Sequence, residues 1–215
     1  MTLFDLVEHL GVGRRAWAAT ITAGPTATAK STPEGPAAPR EREALLAWSA
    51  ASTQQLLDAL RKAGPDRGCW TWWSTSQSPQ TSGAVARHQV QEVAVHTYDA
   101  QLTLGAPQPL PDEVALDSVD EFLFTCCATT DARPHEPAAV DYHVTEGRSW
   151  RLWLSADGAR TARLLTPGTT PAADASARGT AGELVLAMYD RVPVDFPQLH
   201  GDRHIFDQLV AWEPA

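Results

Sequence analysis

The stretch from Arg87 to Ala100, RHQVQEVAVHTYDA, places His88, Glu92, His96 and Asp99 at intervals of four, four and three residues. Helical neighbours three and four apart share a face, so on a helix these four form one polar stripe. A solvated face would account for the stripe without any chemistry. A metal centre would use it, because residues four apart rise only about 6 Å and can grip one ion together. Residues eight apart rise about 12 Å, so His88, Glu92 and His96 cannot all bind one metal on an unbroken helix. The spacing leaves two pairs open, His88 with Glu92 or Glu92 with His96. Either pair needs a third ligand from another helix, and His9, beside Leu6 and Leu10, is the best candidate. Two histidines and one carboxylate with a fourth position open make a catalytic zinc arrangement rather than a structural one.

The elements that must carry these residues are helical up to about residue 130. Thr2 and Asp5 stand at capping-box spacing, which predicts a helix from residue 3 to about 20. The Pro/Ala/Thr-rich run from Ala23 to Pro39 is too poor in apolar residues to pack. A second helix is expected from Arg40 to Ala63, with Leu45, Leu46, Trp48, Leu56, Leu57 and Leu60 inward and Gly64-Pro65 as its stop. Ser82 to Leu104 reads as the third. Pro111 to about Thr129 reads as the fourth, with Val114, Val119, Phe122, Leu123 and Cys126 as its buried stripe.

After the Pro-rich segment at 131–137 the period becomes two. Val140, Tyr142 and Val144 alternate with polar residues, and Trp150, Leu152 and Leu154 repeat the pattern before a turn at Asp157-Gly158. Residues 162–165 and 173–178 suit further short strands. Thr180 and Glu183 form a second capping box, and a last helix should follow Gly201-Asp202. The expected organisation is therefore a helical domain over residues 1–132 and a small α+β domain over 138–215. His200 and His204 flank that helix start and share no helical face, so they make no second metal site.

Composition narrows the partners. The chain has 215 residues, 43% hydrophobic and 20% charged, with net charge −9 and no Lys/Arg block. That balance argues against nucleic acid or an anionic membrane surface as a partner. No apolar run approaches the roughly 20 residues of a membrane span. Asp5 and Glu8 follow Met1 too closely for a signal peptide. Cys69, Cys126 and Cys127 show no disulfide or metal spacing, which suits small core residues in a reduced compartment. A cytoplasmic protein is expected, its oligomeric state open.

The segment from Trp70 to Phe122, centred on ARHQVQEVAVHTYDAQL, resembles the mycothiol-dependent maleylpyruvate isomerase family. DLVEHLGVGRRAW is similar to that family's first metal motif. ARGTAGELVLAMYDRVPVDFPQLHGDRHIFDQL resembles its second domain, itself similar to sterol-carrier proteins. The resemblance implies a DinB-like four-helix bundle holding a divalent metal, usually zinc, followed by a small α+β domain. By position, His9 matches the histidine of the HL motif, and Glu92 and His96 match the E-x-x-x-H pair, which decides against His88. Asp99 falls on the VHxxD position, either supporting the ligands or lying on the helix surface. Family members carry an additional helix ahead of the DLVEHL stretch, so this chain is expected to lack the first helix of the bundle. Where they often show a second histidine, this chain has Gly13-Arg14-Arg15, which implies a more cationic pocket mouth.

The activity so implied is metal-assisted use of a low-molecular-weight thiol, mycothiol. The thiol adds to an activated double bond, a single bond rotates, and elimination yields the trans isomer; thiol transfer to another electrophile shares the first step. Substrates of this kind are small acids and need cations. Arg191, in MYDRVP, falls on the family's second-domain arginine and is the candidate for carboxylate contact or electrophilic assistance, the alternative being a salt bridge or helix-end charge. Arg14 and Arg87 are further candidates for holding the thiol or the acid. A metal-binding or small-ligand-binding protein without catalysis is the rival expectation, and an apolar-ligand carrier built on the second domain is the third.

Overall fold

The computed structural model describes residues 2–33, 35–165 and 171–212. Its chain divides into two compact units, Met1–Ser74 with Pro79–Gln108, and Thr75–Ser78 with Pro109–Ala215. The first is helical, and the second is a mixed sheet with helices.

The first unit is built on α1 (Leu3–Ala23), α2 (Arg42–Ala63) and α3 (Ser82–Leu102). The Thr2/Asp5 capping box forms: Asp5 N donates to Thr2 Oγ1 at 3.2 Å and Thr2 N to Asp5 Oδ2 at 2.7 Å. At the start of α2 the Glu41 carboxylate accepts from the backbone N–H of Glu43 and Ala44, at 2.9 and 2.8 Å. Gly64, with φ +71°, ends that helix. Trp17, Ile21, Leu56, Trp73 and Val85 fill the core. On α2 the buried line is Trp48, Ser52 and Leu56, at strict i,i+4 spacing. Leu46 and Leu57, expected inward, lie a residue or two off that line and are exposed. Ser31 and Pro36, in the Pro/Ala/Thr-rich run, are tied down by their backbone groups. Pro36 O accepts from both Arg15 Nη1 and Trp48 Nε1, at 3.1 and 2.9 Å, and Ser31 N donates to Thr20 Oγ1.

Gly11 marks the close approach of α1 to α2. A Cβ there would overlap the Trp48 ring, so glycine is required by packing rather than by backbone angle.

The second unit is a five-stranded sheet of order β3-β2-β1-β4-β5. Its strands are β1 (Ala138–Val144), β2 (Ser149–Ser155), β3 (Gly158–Arg163), β4 (Ala175–Gly179) and β5 (Gln198–Gly201). β1 and β4 run parallel, and the other pairs are antiparallel. The register sets Asp141 opposite Arg151, and a buried bidentate pair closes there at 2.6 and 2.8 Å. The Thr180/Glu183 capping box opens α5 (Ala181–Met188), and α6 (His204–Ala211) follows β5.

Helix α4 (Asp112–Phe122), which continues as a π-helical turn over Leu123–Cys127, lies in this second unit. A division at residue 132 would group it with α1, α2 and α3. Asp120 shows why it sits with the sheet. That buried carboxylate accepts from Trp150 Nε1 on β2 at 2.8 Å and takes a bidentate grip from Arg163 on β3 at 2.5 and 2.8 Å. The division therefore falls in the 103–111 connection rather than at the Pro-rich 131–137 segment. Among the described residues no helix is long and apolar enough to cross a membrane.

Candidate metal centre

His9 is carried on the second turn of α1, and Glu92 and His96 sit one turn apart on α3. One ligand atom of each lies within 4.8 Å of the other two. Glu92 Oε2 is 3.8 Å from His9 Nε2 and 3.7 Å from His96 Nε2. The two imidazoles meet edge to face, with ring centroids 5.2 Å apart. Ligands on a tetrahedral zinc at bond lengths of about 2.1 Å stand roughly 3.4 Å from one another. Two of the three pairs are thus within a few tenths of an ångström of a chelating geometry. The donor set also fits, since two nitrogens and one carboxylate oxygen suit zinc or a similar divalent ion. Among the described residues this is the one group of three such side chains placed to hold a metal.

Exposure grades across the site. The His96 side chain is 11% exposed, Glu92 26% and His9 56%, so the centre is closed on the α3 side and open beside His9.

Asp99 lies against the far side of the His96 ring from Glu92. Its Oδ2 lies 2.8 Å from His96 Nδ1, and its side chain is 13% exposed. Nδ1–H donating to this carboxylate leaves the Nε2 lone pair directed at the common point, the usual relation between a metal-bound histidine and its carboxylate partner. Of the two positions the sequence left open for Asp99, its 2.8 Å contact with His96 and its low exposure are those of a neighbour of the candidate ligand rather than of the open helix surface.

His88 is buried, packed against the Trp72 and Trp73 rings at centroid distances of 5.6 and 5.3 Å. Its Nε2 stands 4.0 Å from Glu92 Oε1, the oxygen turned away from His9 and His96. Glu92 therefore divides its oxygens, Oε2 to the two histidines and Oε1 to His88. The tryptophan floor was not assigned a role from sequence; the WTWW cluster at 70–73 was its visible signal.

Arg14, on α1 below His9, is half-buried and donates from Nη1 to Thr53 Oγ1 at 3.1 Å. Burial lowers its pKa from the ordinary arginine value, opposed by the field of the Glu92 carboxylate. Arg87, on α3 one residue before His88, is half-buried. Arg191 belongs to the second unit, just past the end of α5, and its Nη1 donates to Tyr189 O at 2.5 Å.

Residues 2–101 match the family model described as the mycothiol maleylpyruvate isomerase N-terminal domain, and residues 113–207 match the C-terminal domain model of the same family. No curated protein matches the sequence. Among solved structures, a double mutant of the sec-alkyl sulfatase PisA1 aligns over 81% of this chain at 14% identity, with a TM-score of 0.38. The chain spans 29% of that protein's length.

Proposed function

Because the chain belongs to the mycothiol maleylpyruvate isomerase family, we propose that His9, Glu92 and His96 hold a divalent metal, zinc by donor set, at which mycothiol is activated toward a small electrophilic acid. The observation that carries this is the convergence of the three ligand atoms, on two helices 83 positions apart in sequence (9 to 92), within 4.8 Å. In this reading α1 and α3 are helices of a DinB-like bundle, and the second unit is the sterol-carrier-like domain of the family.

A bound metal of this kind lowers the pKa of a coordinated thiol, so that thiolate is present at neutral pH, where a free thiol near 8.5 supplies little. The protein's own residues do the rest. Asp99 fixes the His96 tautomer, so Nε2 arrives as an acceptor of metal rather than as an N–H. Glu92 would offer Oε2 to the metal, while His88 Nε2 stands 4.0 Å from its Oε1. The open flank beside His9 admits the thiol. Arg14 supplies positive charge for the carboxylate of the thiol or of the acid, and a guanidinium suits that geometry. Arg87 is a second such group on α3. Arg191, by its place in the MYDRVP segment, is the second unit's candidate for contact with a substrate carboxylate. The reaction is isomerisation of, or thiol transfer to, an unsaturated or otherwise electrophilic acid.

Elemental analysis of purified wild type and of His96→Ala, with free thiol titrated in the presence of mycothiol and a panel of unsaturated acids, tests the reading. Wild type should carry one zinc per chain and consume thiol or convert the acid, and His96→Ala should do neither. Zinc-replete wild type that leaves thiol and acids untouched would make this a metal-binding protein without catalysis. Wild type that holds no metal under any loading condition would refute the site.

A further inference from the structure

The second unit carries a half-open pocket of about 600 Å³, and none of its lining residues is His9, Glu92 or His96. It opens among the end of α4, the inner face of the sheet, α5 and α6, and its main walls are Phe122, Tyr142, Leu184, Met188, Phe206 and Trp212. The size falls within the range of small-molecule pockets, and a mostly apolar, aromatic wall with a few polar groups is how such pockets are made. Cys126 and Cys127 at the π-helical turn also line it. Burial pushes the Cys127 thiol up to about 12, so it stays neutral and adds no charge.

The charged groups among the lining residues are all of one sign. Asp190 and Asp207 belong to the lining, and none of the lining residues is Lys, Arg or His. The adjacent Arg191 turns its guanidinium to the Tyr189 carbonyl. His204 stands 4.0 Å from Asp207 on the exposed side. Asp190 is informative for a second reason. It occupies the left-handed position after α5, with φ +57°, the only positive-φ residue other than glycine among those described. The helix closes around it by two bonds, Asp190 N to Ala187 O at 3.1 Å and Arg191 N to Leu186 O at 2.7 Å. That is the C-terminal motif in which glycine is the favoured residue. The fold alone would be served better by glycine, and the carboxylate is present at the cavity instead.

We propose that this cavity is a binding site for a small organic cation, an amine or quaternary ammonium with an aromatic or aliphatic body. The body packs on the aromatic wall, and the charge sits between the π-faces and the two carboxylates. Aromatic rings attract cations through their quadrupole, and the acidic rim adds to that while repelling anions. The ligand class is thus opposite in charge to the acid assigned to the metal centre.

Matched probes distinguish the proposal from plain hydrophobic capture. 1-Naphthylmethylammonium and 1-naphthoate share one apolar body and differ in sign, and each is titrated into the full chain by isothermal calorimetry. The cation should bind at least tenfold more tightly than the anion. Asp190→Gly together with Asp207→Asn should cut that preference to threefold or less. The Asp190→Gly change should keep or raise Tm, because glycine suits the left-handed position, so lost binding cannot be ascribed to unfolding. His96→Ala should leave the cation affinity unchanged, which separates this site from failure of the metal reading. Equal or tighter binding of 1-naphthoate, no binding of the cation, or unchanged cation affinity in the double variant would overturn the proposal.

Discussion

Removing the carboxylate behind His96 should weaken metal binding without touching a ligand. Asp99 Oδ2 lies 2.8 Å from His96 Nδ1, in a pair whose side chains are 13% and 11% exposed. Hydrogen bonds to a charged group contribute about 1.5–3 kcal/mol when one partner is ionised. Loss of an outer partner of a metal-bound histidine costs about 10–100-fold in affinity, which is about 1.4–2.7 kcal/mol. The two estimates agree, so the expected loss follows from either. Asp99→Asn keeps the shape and one acceptor oxygen but no charge, and should fall near the lower end, about tenfold. Asp99→Leu also removes the acceptor, frees the tautomer and should approach about 100-fold. Thr97→Ala, on the exposed face of the same helix, should change nothing. Zinc affinity is read by competition with a chromophoric chelator on apo-protein, and the visible spectrum of the cobalt-loaded protein reports the ligand field. If Asp99→Leu binds zinc within twofold of wild type and gives the wild-type cobalt spectrum, the carboxylate does not position His96 and the argument fails.

His88→Ala should retain one metal per chain, because it faces Glu92 Oε1 rather than the shared Oε2, while losing about 1–3 kcal/mol of stability from the emptied space against Trp72 and Trp73. Metal content and thermal unfolding check both, and metal lost from His88→Ala but kept in His96→Ala would reverse the ligand assignment. The Glu41 carboxylate is held below its ordinary value of 4.5 mainly by the Ala44 and Glu43 backbone hydrogen bonds. Its support of α2 is therefore complete above pH 4.5 and is lost as pH falls through the lowered folded value. The amide shifts of Glu43 and Ala44 should titrate in that acid window, and Glu41→Gln should flatten them. Gly11→Ala forces a methyl into the Trp48 ring and should cost about 1–3 kcal/mol by overpacking, offset in part by the roughly 1 kcal/mol helix gain of alanine over glycine. Chemical denaturation would measure the net loss, and a more stable variant would show that α1 and α2 can separate without penalty.

What the sequence determined was local. The Thr2/Asp5 and Thr180/Glu183 capping boxes, the alternation through Val140–Val144 and Trp150–Leu154, and the Glu92/His96 interval all lie within a few residues, where backbone geometry alone fixes which side chains meet. Periodicity could not say what a face would pack against. An amphipathic α4 fits either unit equally well, and the choice was made by a buried Asp120 that needs both Trp150 and Arg163 to be satisfied, since a buried carboxylate is costly without partners. The edge strand Gln198–Gly201 was missed because Leu199 is its one apolar residue and the other three are exposed, so no alternation shows; only the β4 ladder makes them a strand. On α2, a residue or two of phase decided that Leu46 and Leu57 face out. The metal centre divides the same way. Spacing left the pair ambiguous between His88 and His96, because both stand four residues from Glu92. Tertiary packing brings His9 on α1 to one oxygen of that carboxylate and seats His88 on a tryptophan floor facing the other. A helix repeat places neighbours on its own face, but only the packing of α1 against α3 decides which of them meets a third ligand.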